Sequence, residues 1–178
     1  RPQTLTEKKI YELLRKNFPF APTNAQQKLL ENLSIFVADK TERKCFLLKG
    51  YAGTGKTTLI KSLVKTLSSI ELTPVLLAPT GRAAKVINFY TGADATTIHR
   101  YLYEIKPDKL GGISTRVKEN KISSRVFIVD EASMISNEDD KTLFQGCNLL
   151  SDLVDHVYSK TNCFIIFIGD TAQLPPVK

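Results

Sequence analysis

Gly50-Tyr51-Ala52-Gly53-Thr54-Gly55-Lys56-Thr57 fits the spacing G-x-x-x-x-G-K-[ST]. These residue types bind phosphate for physical reasons. Gly50, Gly53 and Gly55 let the backbone bend so that its N–H groups point inward. The start of a following helix adds its positive dipole end. In such a loop Lys56 reaches the β- and γ-phosphates of a nucleoside triphosphate, and the Thr57 hydroxyl ligates Mg²⁺.

A second group follows the apolar run Val126-Phe127-Ile128-Val129, which ends in Asp130-Glu131-Ala132-Ser133-Met134. Two carboxylates at the tip of a buried strand are costly unless a cation pairs with them. Mg²⁺ held with a nucleotide does so, which makes Asp130 the metal-side carboxylate and Glu131 the base that orients an attacking water. A third group, Gly169-Asp170-Thr171-Ala172-Gln173-Leu174-Pro175-Pro176, follows the apolar run Cys163 to Ile168. Here Gln173 is a candidate sensor of the γ-phosphate, and Asp170 a candidate to hold the loop or the water. In an open α/β sheet, polar loops just past the strand ends form the ligand edge.

These groups need strands and helices to place them. Cys45 to Lys49 reads as a buried strand before the phosphate loop. Lys56 to Leu67 reads as a helix with Leu59, Leu63 and Leu67 on one row. Pro74 to Ala78 is another apolar strand, leading into Pro79-Thr80-Gly81-Arg82-Ala83-Ala84-Lys85. Thr80 is the expected N-cap of a helix that stops at Gly92. That loop either holds a phosphate or is a capped helix with solvated charges. A helix is expected from about Leu143 to Tyr158, and a mobile polar loop from Ile135 to Thr142.

Upstream, Thr4-Leu5-Thr6-Glu7 matches a capping box before Ile10, Leu13 and Leu14. Phe18-Pro19-Phe20-Ala21-Pro22 is a stiff connector. Thr23-Asn24-Ala25-Gln26 opens a second helix. Gln26 has two readings: the closing residue of a capping box, or an amide that reads an adenine edge. His99, in Thr97-Ile98-His99, has no Ser or Cys partner motif, so acyl chemistry is not indicated. Between residues 103 and 118 two alternating runs flank Gly111-Gly112, which reads as a hairpin with a tight turn.

At 178 residues the chain is expected to be one domain, with 1–22 as an N-terminal helix and connector. No long apolar run suggests a membrane span. Cys45, Cys147 and Cys163 are odd in number and lack zinc spacing, so they read as buried thiols in a reducing, cytoplasmic compartment. The net charge of +7 is uneven: residues 1–125 are strongly basic and 126–178 acidic. Basic residues interleave with Tyr101 and Tyr103 near the hairpin. An anionic polymer fits this balance, and so does a solvated basic surface.

The ordered set of Gly50–Thr58, Ala78–Ala84, Thr97–His99, Asp130–Met134 and Gly169–Val177 resembles the first motor domain of superfamily 1 DNA helicases, closest to the RecD-like group (exonuclease V alpha subunit type). The resemblance implies a P-loop, RecA-like α/β fold: a parallel sheet sandwiched by helices, with a small β-hairpin insertion. It implies ATP and Mg²⁺ as ligands, held by Gln26 at the adenine, residues 50–58 at the phosphates, and Thr57 with Asp130 at the metal. It implies catalytic roles for Lys56, Glu131 and Gln173, and single-stranded DNA contacts at Thr80, Gly81, Arg82 and His99. It implies that the strand ending at Ile168 lies between the phosphate-loop strand and the Asp130 strand. It further implies 5′-to-3′ movement on single-stranded DNA, a duplex-splitting role for the hairpin, a second RecA-like domain and DNA-repair partner subunits. The competing reading is a nucleotide-dependent switch or assembly ATPase without a nucleic-acid track.

Overall fold

The computed structural model describes residues 3–49, 54–135 and 148–169. The strands β1 (Cys45–Lys49), β2 (Thr73–Ala78), β3 (Ala95–Thr97), β6 (Arg125–Val129) and β7 (Phe164–Gly169) form one sheet, ordered β1-β7-β6-β2-β3. Every pairing in it is parallel. The strand β7 therefore lies between the phosphate-loop strand β1 and the Asp130 strand β6, as the resemblance implies. A parallel sheet needs helices on both faces, so its inner strands read as continuous apolar runs. Residues 164–169 are buried throughout, as are Val126 to Val129.

One face is covered by α1 (Leu5–Lys16), α2 (Asn24–Ala38), α3 (Thr54–Ser69) and α4 (Gly81–Thr91). Leu14, Leu30, Leu33, Leu59 and Leu63 fill it, each at most 1% exposed. The N-terminal helix belongs to this core. Ser62 donates to the Leu14 carbonyl at 2.7 Å, and the Asn17 amide donates to Thr66 at 3.1 Å. The other face is covered by α5 (Ile98–Leu102) and α6 (Leu149–Tyr158), through Ile98, Leu102, Leu153 and Val157. Among the described residues no helix is long and apolar enough to cross a membrane.

The capping signals read from sequence are present. Thr4 and Glu7 form a reciprocal capping box, Thr80 caps α4, and Gly92 ends it in the left-handed conformation at φ 69°. Several expectations are corrected. Helix α6 starts at Leu149, because Asn148 is non-helical and its side chain accepts from Ser151 N–H at 3.0 Å. Ile135 is extended and buried against the α6 face, and residues 136–142 of the expected polar loop lie outside the described residues. Cys45 is only half-buried, although burial still raises its thiol above the ordinary value. Cys147 lies outside the described residues.

The hairpin consists of β4 (Tyr103–Pro107) and β5 (Ile113–Val117), antiparallel and, among the described residues, paired only with each other. Its loop is longer than a Gly-Gly turn. Asp108 Oδ1 accepts from Leu110 N–H at 2.8 Å and from Gly112 N–H at 2.9 Å, so one carboxylate organises residues 108–112. Gly111 supplies the positive φ of 85° that the bend requires.

Candidate functional site

Lys56 and Thr57 lie in the first turn of α3, where backbone N–H groups have no intrahelical acceptors. Asp130 directly follows β6, and its N–H donates to the Leu77 carbonyl of β2 at 2.9 Å. That bond carries the β6–β2 pairing one residue past the strand end and fixes the carboxylate over the sheet edge. Lys56 Nζ then stands 3.1 Å from Asp130 Oδ1. The carboxylate is 6% exposed. The distance makes this an ion pair, and among the described residues no donor makes a hydrogen bond to that buried oxygen. A buried carboxylate oxygen in that condition favours a further cation.

Lys56, Thr57, Thr80, Arg82, Asp130 and Glu131 line one cleft of about 510 Å³. The sheet order brings these residues together from three separate stretches of sequence. A carboxylate and a hydroxyl are hard oxygen donors suited to Mg²⁺. Thr57 and Asp130 share the cleft, and Asp130 Oδ1 faces Lys56 but accepts no hydrogen bond among the described residues, so the residues present fit a divalent cation.

Comparison with known proteins decides the family at this point. The model of the family described as an AAA domain matches residues 34–178. The chain belongs to the AAA domain family. Its relatives include the ATP-dependent DNA helicase dda of Enterobacteria phage T4, 36% identical over 81% of this chain and 31% of that protein. They also include the ATP-dependent RecD2 DNA helicase of Deinococcus radiodurans, 30% identical over 88% of this chain and 19% of that protein. Among solved structures, Bacteroides sp Pif1 in complex with ADP-AlF4 aligns with all of this chain and 34% of that chain, at 21% identity and a TM-score of 0.44. The chain spans about a third or less of the length of these relatives. This AAA domain is thus similar to a part of proteins named as ATP-dependent DNA helicases, and the matches do not single out the RecD-like group.

Within this AAA domain, Glu131 adopts φ 50° and ψ 45°, left-handed and rare for a residue with a Cβ. Such strain persists only where the surroundings enforce it, and it concentrates at functional sites. Here the turn into Ala132–Met134 directs the chain away from the strand just where the carboxylate meets the cleft. No sequence signal announces it, since left-handed positions are read from Gly or Asn. The apolar wall of the cleft, with Val86 and Met134 half-exposed, was also missed. Its signal is spacing: Val86 lies one turn after Arg82, and Met134 one short turn after Glu131.

Gln26 closes the capping box of α2. Its Oε1 accepts from Thr23 N–H at 2.9 Å, and its own N–H donates to Thr23 Oγ1 at 3.2 Å. The Thr80 hydroxyl is likewise engaged as a cap, accepting from Ala83 N–H at 3.1 Å. Arg82 and Gly81 are exposed, and a Cβ at Gly81 would meet nothing within 4 Å. His99 lies in α5 with its ring 6.0 Å from that of Tyr103, away from the cleft lining. Gly55 and Thr58 lie on α3 beside Lys56. Gly50, Tyr51, Ala52, Gly53, Asp170 and Gln173 lie outside the described residues, as does the side chain of Thr54.

Proposed function

We propose that the chain is the first ATP-binding motor domain of an ATP-dependent DNA helicase acting on single-stranded DNA. The observation that carries this reading is the convergence of Lys56, Thr57, Asp130 and Glu131 on one cleft, with Thr80 and Arg82 on its rim. The names of the helicase relatives support the choice of DNA over a switch function.

Mg²⁺, when bound, neutralises developing charge on the phosphates; Thr57 and Asp130 are the residues that hold it. Lys56 is within reach of Asp130 and is the group that turns to the phosphates when nucleotide enters. Glu131 orients water for in-line attack at the γ-phosphate, and Gln173 senses that phosphate. Residues 50–58 wrap the phosphates, and Gln26 reads adenine with amide capacity left beyond its cap. Thr80, Gly81, Arg82 and His99 contact the DNA backbone. The RecD-like assignment, 5′-to-3′ movement, a second RecA-like domain and DNA-repair subunits belong to this same proposal.

A second motor domain supplies an arginine worth about 10³–10⁵ in rate. The chain alone is therefore expected to bind Mg·ATP while turning it over slowly. Calorimetry with an ATP analogue checks the site: Lys56→Ala should lose affinity, and equal affinity would leave the cleft without a nucleotide role. Fluorescence anisotropy on labelled single-stranded DNA checks the track. Binding should weaken as salt rises and on Arg82→Ala. Nucleotide binding with no DNA affinity even at low salt would favour the switch ATPase.

A further inference from the structure

We propose that Tyr103 and Asp152 are positioning residues that fix the direction of the β4–β5 hairpin relative to the motor sheet. The inference rests on the helicase reading, in which that hairpin meets the duplex end.

A two-stranded ribbon is marginal by itself in water. Among the described residues this one pairs with no other strand, and its outer part is solvated: Ile105 is 50%, Ile113 64% and Leu110 97% exposed. The described bonds that tie it to the motor sheet's helices lie at its feet. At the first foot Tyr103 is 5% exposed, and its hydroxyl donates to Asp152 Oδ2 at 2.6 Å. At the second, the Lys118 carbonyl accepts from His156 Nδ1 at 2.6 Å, and the Asn120 amide donates to the Val157 carbonyl at 3.3 Å. Lys118 N–H closes the two feet together by donating to the Leu102 carbonyl at 2.6 Å.

All three anchors stand on α6, with Asp152 and His156 one turn apart. Through Leu153 and Val157, α6 packs in one apolar cluster with Phe127 and Val129 of β6 and with Ile165 and Phe167 of β7. The strand β6 leads directly into Asp130 and Glu131. Hairpin, α6 and the catalytic edge are thus joined by close packing, and close-packed interiors transmit displacement with little compliance. The bond to Asp152 is charge-assisted, hence the strongest single tie at the feet. Phenylalanine would fill the same space at position 103; the hydroxyl adds direction.

The test uses the protein with both motor domains present, and compares opening of a forked duplex with ATPase stimulated by single-stranded DNA. Tyr103→Phe and Asp152→Ala should each lower duplex opening about tenfold while the ATPase stays within about twofold of wild type, the scale set by loss of one hydrogen bond to a charged group. The double variant should be no worse than either single one. Asp152→Asn keeps an acceptor oxygen for the phenol and should restore most of the opening rate. Unchanged opening in Tyr103→Phe, or opening that falls only in step with ATPase, overturns the inference. A wild-type protein that hydrolyses ATP on single-stranded DNA yet opens no duplex overturns the helicase reading itself, and the inference with it.

Discussion

The nucleotide edge and the hairpin are built by opposite means. Asp130 and Glu131 are placed by strand register inside a sheet covered on both faces, where Phe127 and Val129 are fully buried. Residues 103–117 form a separate two-stranded sheet whose outer part is solvated, with Ile105, Leu110 and Ile113 exposed, while Tyr103 is buried and side-chain bonds tie its feet. Register is enforced by many apolar contacts at once, so Asp130 and Glu131 cannot shift without unpacking the core. A motor of the proposed kind has use for both, since its chemistry needs fixed distances and its contact with a partner needs an adjustable part.

The largest expected effect breaks the fixed side of this contrast. Glu131→Gln keeps shape and removes the base, so turnover in the complete protein should fall about 10²–10⁴-fold with nucleotide affinity retained. Steady-state ATPase and calorimetry check this together; full activity would remove Glu131 from the mechanism. Next comes a matched pair of truncations. Phe127→Ala in β6 should cost roughly 3–5 kcal/mol by leaving a cavity. Ile113→Ala, at 64% exposure in β5, should stay within about 0.5 kcal/mol. Urea unfolding of both variants measures the difference, and similar losses would mean that the hairpin is part of the core.

The smallest effect lies where the two regions meet. His156 is 5% exposed, and its imidazole is held below the ordinary 6.5 by burial first, then by the charges of Arg125 and Lys118, against the bond to the Lys118 carbonyl. The unfolded chain therefore takes up a proton more readily than the folded one. This contribution to stability is fully present above pH 6.5 and is lost as pH falls through the depressed folded value. Melting temperature followed downward from neutral pH should fall more steeply for wild type than for His156→Gln. Parallel curves would show that the histidine does not titrate in this window.

Much of this architecture was legible beforehand because it rests on local chemistry. Thr4 with Glu7, Thr23 with Gln26, Thr80 and Gly92 mark helix ends by short-range hydrogen bonds and backbone preference, and the structure contains each of them. Apolar runs such as Phe164 to Ile168 declare buried parallel strands for the same reason. The start of α6 was misplaced because Leu143 continues an apolar spacing that the Asn148 cap interrupts. The hairpin loop was misjudged because the organising carboxylate of Asp108 lies outside the Gly-Gly pair.

The spacing from Gly50 to Thr57, and the two acids after an apolar run, were enough to determine that a phosphate-binding loop and a carboxylate pair exist in this chain. Their residue types carry that chemistry wherever they stand. Only the tertiary structure decided that Lys56 and Asp130 are 3.1 Å apart, that Glu131 is turned left-handed into the same cleft, and that α6 holds both feet of the hairpin. Those facts depend on strand order and on contacts between residues distant in sequence, which local spacing does not encode.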